Sequence, residues 1–222
     1  MSEKLSYLEI NPNQPAKACV IWLHGLGATA NDFMPIVPEL QLPDDLAVRF
    51  VFPQAPMLPV TLNMGYVMPA WYDILGLEFD SPQDEVGIRQ MEQQVHALIN
   101  AEISRGTVSD KIILAGFSQG GAMALHAALR FPQRLAGVMA LSSYLPLADK
   151  LSSESGKVND DISILITHGT EDTVLPLLVS EISAEILRKA GFSVQYKVYP
   201  MKHEVCHAEI VDISSWIQQV LN

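Results

Sequence analysis

Six short apolar runs punctuate this chain: Ala18–Leu23 (ACVIWL), Ala47–Phe52 (AVRFVF), Lys111–Ala115 (KIILA), Ala136–Leu141 (AGVMAL), Ile162–Thr167 (ISILIT) and Val194–Tyr199 (VQYKVY). Most are apolar nearly throughout, as strands buried on both faces are. Longer stretches with helical spacing lie between them. Pro82–Ile103 places Ile88, Met91, Val95, Leu98 and Ile99 on one face, with Ser81, Pro82 and Asp84 as cap and first turn. Pro176–Ala190 does the same with Leu178, Ile182 and Ile186 and stops at Gly191. His207–Leu221 repeats it with Ile210, Ile213, Ile217 and Val220. Strand alternating with helix predicts an α/β fold, a mainly parallel central sheet covered by helices on both faces. One stretch breaks the alternation. From Pro53 through Pro82 run five prolines, both ends included, together with Met57, Leu58, Leu62, Met64, Met68, Trp71, Tyr72, Leu75 and Phe79, with no clear period. It reads as an irregular loop insertion over a functional site.

With 222 residues, no repeat and no linker-like tract, the chain is expected to form a single domain over 1–222. The net charge of -11 repels phosphate backbones and anionic bilayers, so nucleic acid and charged membrane surfaces are excluded as expected partners. No apolar run approaches the roughly 20 residues of a spanning helix, and MSEKLSYLEI has no signal-peptide core. Two cysteines, Cys19 and Cys206, fit reduced thiols in a cytoplasmic protein better than a disulfide framework. The sequence leaves monomer and homodimer equally open.

Two motifs compete for the chemistry. HEVCH, His203–His207, has the spacing of a zinc-protease helix. AGFSQGGAM, Ala115–Met123, contains G-x-S-x-G, a serine-hydrolase turn. The zinc reading needs both histidines inside one helix and a third ligand. Pro200 lies three residues before His203, a strand precedes it, and beyond Asp212 there is no histidine or carboxylate. The zinc reading is therefore rejected, and no metal is expected. The serine reading has its confirming context: the strand KIILA, the turn at Ser118, then the helix Gly121–Arg130.

Serine needs a base and an orienting carboxylate, in the chain order Ser, acid, His. His126 lies two turns into the helix after Ser118 and is expected to point away. His168 ends a strand, and Glu171 or Asp172 follows on a loop. His203, in the loop before the last helix, then becomes the candidate base, ahead of His207. His168 reads as a histidine bonded to the acid loop. The oxyanion requires two backbone N–H donors. Gln119 follows the nucleophile, and Leu26 lies in HGLG after the strand ACVIWL. Trp71 and Leu75 are the candidate substrate-binding residues, as one wall of an apolar acyl site.

Taken together, WLHGLGA at Trp22, PQAPMLPVTLNMGYVMPAWYDI at Pro53, GFSQGGAMAL at Gly116, HGTEDTVLP at His168 and YPMKHEV at Tyr199 resemble the carboxylesterase and acyl-protein thioesterase family of serine α/β-hydrolases. The resemblance covers nearly the whole chain. It implies an α/β-hydrolase fold and a triad of Ser118, Asp172 and His203, with Asp172 preferred to Glu171. It also implies cleavage, without cofactor, of small-molecule esters or thioesters of apolar acyl groups, or of acylated proteins. Lysophospholipase or peptidase activity on the same triad, and a non-catalytic binding protein on the same fold, are the alternatives. Lys202 and Glu171 depart from the family pattern beside the triad.

Overall fold

The computed structural model describes residues 4–76, 81–155 and 157–222. Its strands in chain order are β1 (Tyr7–Ile10), β2 (Ala18–Leu23), β3 (Val48–Pro53), β4 (Met57–Val60), β5 (Tyr66–Pro69), β6 (Ile112–Phe117), β7 (Gly137–Leu141), β8 (Ser163–Gly169) and β9 (Ser193–Tyr199). Its α-helices are α1 (Ile36–Glu39), α2 (Glu85–Ser104), α3 (Gln119–Arg130), α4 (Leu151–Glu154), α5 (Leu177–Lys189) and α6 (His207–Leu221). Seven strands form one sheet in the order β1-β3-β2-β6-β7-β8-β9. All its pairings are parallel except β1 with β3, which is antiparallel. This is the expected α/β-hydrolase arrangement. β1 was not predicted: its four residues are only half-buried or exposed, so they lack the continuous apolar run of an interior strand.

The two faces of the sheet bury two cores. Cys19, Ile21, Leu23, Ile112 and Leu114 point to the face packed by α2, α3 and α5. Ala18, Val20, Trp22, Ile113 and Ala115 point to the other, where α6 packs through Ile213, Trp216 and Ile217. Alternate residues of a strand face opposite ways, so an interior strand must be apolar at every position. β9, at the sheet edge, instead alternates exposed and half-buried residues from Ser193 to Lys197.

Two expected boundaries shift. α2 begins at Glu85, because the Asp84 carboxylate accepts the Gly87 N–H at 2.9 Å and also the Asp73 N–H at 3.1 Å. The true cap therefore lies three residues beyond Ser81. The segment expected to be irregular contains a two-stranded antiparallel hairpin, β4–β5, with Met57 opposite Pro69 and Val60 opposite Tyr66. Phe79, counted in that segment, lies outside the described residues.

Candidate active site

The G-x-S-x-G turn is built by close packing. Ser118 has φ 54° and ψ -122°, a strained conformation for a residue with a Cβ. Its N–H donates to Leu141 O at 2.8 Å, and its carbonyl accepts the Ser143 hydroxyl at 2.7 Å. A side chain at Gly116 would strike the backbone of Gly120, and one at Gly120 would strike the carbonyls of Leu23 and His24. Glycine at both places lets α3 start directly against the ends of β6 and β2. Ser118 thus stands at the helix N-terminus, where the dipole favours negative charge.

The acid and histidine loops are laid side by side by an extension of the β8–β9 ladder. Thr170 N–H donates to Tyr199 O at 2.8 Å and Glu171 N–H to Met201 O at 3.0 Å. A side chain on Gly169 would collide with the Met201 and Lys202 carbonyls. This pairing brings Asp172 to His203, whose Nδ1–H donates to Asp172 Oδ2 at 2.6 Å. The other carboxylate oxygen accepts the Val174 and Leu175 amides at 2.8 and 2.9 Å. The Asp172 side chain is fully buried, while Glu171 is exposed. His168 donates from Nε2 to Leu175 O at 2.9 Å and lies 3.3 Å from Asp172 Oδ2. Burial lowers its pKa below that of a free imidazole. His126 is buried on the far side of α3 against Glu92, at 2.7 Å.

Ser118, Gln119, Leu26 and His203 line one cavity of about 660 Å³. Leu26 lies in the turn after β2. Its neighbours' amides are committed, Gly27 N–H to Pro69 O at 2.8 Å and Ala28 N–H to Gly25 O at 3.2 Å. Gln119 is the first residue of α3, so its N–H has no partner within the helix. Leu26 and Gln119 therefore line the same cavity as the serine. Phe33, Leu62, Ile74, Phe117 and Val174 supply much of the remaining apolar lining. Trp71 and Leu75, expected as a wall, are not among the lining residues. Trp71 is 1% exposed and donates its N–H to the Gln119 side chain, and Leu75 is 41% exposed. The hairpin reaches the cavity instead through Leu62 and Asn63, and the strand-free segment after it through Ile74.

HEVCH does not form one helix. His203 lies in the loop before α6 and is engaged with Asp172, whereas His207 is the exposed first residue of α6. Cys19 and Cys206 are both free. Several contributors escaped the sequence reading. His24 is buried, with Nδ1–H donating to Gly25 O at 2.7 Å and Nε2 accepting the Ala55 N–H at 3.1 Å. These partners require the neutral ring, and burial lowers its pKa. Tyr144 lines the cavity and hydrogen-bonds Tyr72 through the two hydroxyls at 2.6 Å. Nothing in one sequence marks the His24–Ala55 and Tyr72–Tyr144 partners, since these contacts span 31 and 72 residues. Among the described residues no helix is long and apolar enough to cross a membrane.

A parallel sheet with a strained serine at a strand-to-helix turn defines the α/β-hydrolases. Comparison with known proteins gives the particular branch. The phospholipase/carboxylesterase family matches residues 7–221. Acyl-protein thioesterase 1 of Schizosaccharomyces pombe is 42% identical over 187 residues, 84% of this chain and 83% of the relative. Among solved structures, Arabidopsis thaliana SOBER1 superposes with a TM-score of 0.89 at 32% identity, covering 93% of this chain and 100% of that one. Zea mays acyl-protein thioesterase 2 superposes with a TM-score of 0.88 at 28% identity, covering 98% and 99%. The chain belongs to the phospholipase/carboxylesterase family of α/β-hydrolases, and it is a hydrolase.

Proposed function

We propose that the protein is a serine carboxylesterase or thioesterase that cleaves apolar acyl groups from small molecules or from acylated proteins, through an acyl-enzyme on Ser118. The observation that carries this reading is the 2.6 Å Asp172–His203 contact at the rim of a cavity that also holds Ser118. In this mechanism Asp172 holds the imidazole with its proton on Nδ1, leaving Nε2 free as a base. Nε2 takes the Ser118 hydroxyl proton as Oγ attacks the acyl carbonyl. The Leu26 and Gln119 amides receive the oxyanion, and the helix dipole of α3 adds to them. His203 then protonates the leaving alcohol or thiol, and a water activated by the same imidazole releases the acid. The apolar lining of the cavity and the names of the thioesterase relatives support an apolar acyl group.

The test is a fluorophosphonate label read by peptide mass spectrometry, run beside p-nitrophenyl esters of increasing chain length and a matched thioester. Stoichiometric modification of Ser118, with turnover that chelators leave unchanged, is the expected result. A folded protein that binds acyl compounds without turning them over, or one that loses activity to a chelator and regains it with zinc, would sink the proposal.

A further inference from the structure

Two hydrogen bonds at Trp71, which is not among the cavity-lining residues, and a third at Tyr72 tie this segment to its neighbours. The Trp71 backbone N–H donates to Gln119 Oε1 at 3.0 Å. The Gln119 amide nitrogen donates to the next carbonyl, Tyr72 O, at 2.7 Å. The Trp71 indole N–H donates to His24 O at 2.7 Å. Trp71, Gln119 and His24 are each at most 2% exposed, so none of these bonds competes with water. Two residues earlier, Pro69 O accepts the Gly27 N–H at 2.8 Å. The segment 69–72 therefore grips the turn at residues 24 and 27, on either side of Leu26, and grips Gln119 by its side chain. His24 is itself fixed by its two ring bonds, and its ring lies 5.0 Å from that of Trp71.

We infer that Trp71 is a positioning residue that sets the distance between the Leu26 and Gln119 amides, so that both point at one oxygen in the transition state. The inference rests on the serine-hydrolase reading above. Those two amides come from elements far apart in sequence, the β2 loop and the start of α3. Their relative placement must hold to a fraction of an ångström, because oxyanion stabilisation depends on donors placed beforehand. Gly120 brings the two backbones into contact, but a contact alone sets only a minimum separation. The indole bond on one side and the paired amide bonds on the other set the maximum. Buried, water-free hydrogen bonds suit this task, since a broken one leaves an unpaired polar group. The arrangement also accounts for the Gln119 side chain: its amide spends both its oxygen and its nitrogen on the Trp71–Tyr72 backbone.

The test uses Trp71→Phe, which keeps a ring in the core and deletes the indole N–H, and Gln119→Met, which deletes both side-chain bonds while retaining the backbone amide. Active sites are counted by fluorophosphonate titration, so that unfolded protein drops out. Three quantities are read: kcat, KM, and the affinity of an alkyl trifluoromethyl ketone, which forms a tetrahedral adduct on a serine. Removing an oxyanion donor outright costs roughly 100- to 1000-fold in kcat, so loosening one is expected to cost about 10- to 100-fold. KM should change by less than about threefold, and ketone affinity should fall by the same factor as kcat. The double variant should lose little more than the worse single variant, because both release the same segment. Unchanged kcat and ketone affinity per titrated site in either folded variant, with only a lowered melting temperature, would overturn the proposal and leave Trp71 as packing. If Trp71→Phe does not fold, Gln119→Met alone decides between these results. Failure of the wild-type protein to label at Ser118 would instead overturn the hydrolase reading, and this inference with it.

Discussion

His203 and His207 are four residues apart and stand in different physical situations. His203 is part-buried, with Nδ1 held by a carboxylate that has no exposure to water. His207 is exposed at the start of α6. Only the first has a fixed tautomer and a fixed aim. His203→Ala is expected to lower kcat by roughly 10⁴-fold, as loss of a triad base does, with the circular dichroism spectrum unchanged. His207→Ala should stay within about twofold of wild type, a surface substitution away from any buried network. Equal losses in the two titrated variants would refute the assignment. Spacing alone left Glu171 and Asp172 equivalent as candidate acids. The choice between them is a matter of direction, since adjacent residues on a loop point different ways, and only the pairing of the β8 and β9 loops decides which one faces the histidine. The His24 ring was out of reach for the same reason: HGLG reads as a glycine turn, and nothing local says that its histidine is spent on Ala55.

At the scale of elements, the regular pieces were legible because their periods are local, and the hairpin was not. Pro59 and Pro69 lie within β4 and β5, and proline argues against a strand. A two-stranded sheet tolerates them because every strand in it is an edge. The turn carries its own signal in Asn63-Met64-Gly65, where Met64 and Gly65 both have positive φ. The cavity is lined by Leu62, within the hairpin, and Ile74, after it, and not by the expected Trp71 and Leu75. The consequence is measurable along an ester series from two to about twelve carbons, since each methylene against an apolar wall is worth up to about 0.8 kcal/mol, near fourfold in kcat/KM. Leu62→Ala and Ile74→Ala should flatten or shift the rise of kcat/KM with chain length, whereas Leu75→Ala should leave the profile in place. A shift with Leu75→Ala and none with the other two would restore the first assignment and reject the second.

For the molecule as a whole, the layered α/β class followed from the alternation of strands and helices, but the order of the strands did not. Which strands pair depends on contacts between distant segments, and β1 shows the limit: it is a short edge strand that only the finished sheet explains. The finished sheet also buries a carboxyl group that no local pattern would place there. Glu209, three residues into α6, is fully buried between that helix and β8. It accepts the Thr167 hydroxyl at 2.5 Å. Its second oxygen has no partner among the described residues. Burial, reinforced by Asp212, pushes its pKa from 4.5 up to about 7, against the pull of the Thr167 hydroxyl. The folded state therefore holds a proton between these values that the unfolded chain has released. Stability from this group is complete below pH 4.5 and is lost as pH rises through about 7. At 1.36 kcal/mol per pKa unit the loss is on the order of 3 kcal/mol. His24, His126 and His168 act in the opposite sense: burial depresses their pKa values, so their contribution is lost as pH falls below that of a free imidazole. The net negative charge adds a repulsion that grows with pH. Glu209→Gln removes only the first of these effects and keeps an acceptor for Thr167, so the difference between variant and wild type isolates it. That difference, from urea unfolding at intervals between pH 4.5 and 8, should move in favour of the variant as pH rises. Whatever constant cost the buried amide brings will offset the curve without changing its slope. Parallel curves for the two proteins across that range would show that Glu209 does not titrate within it.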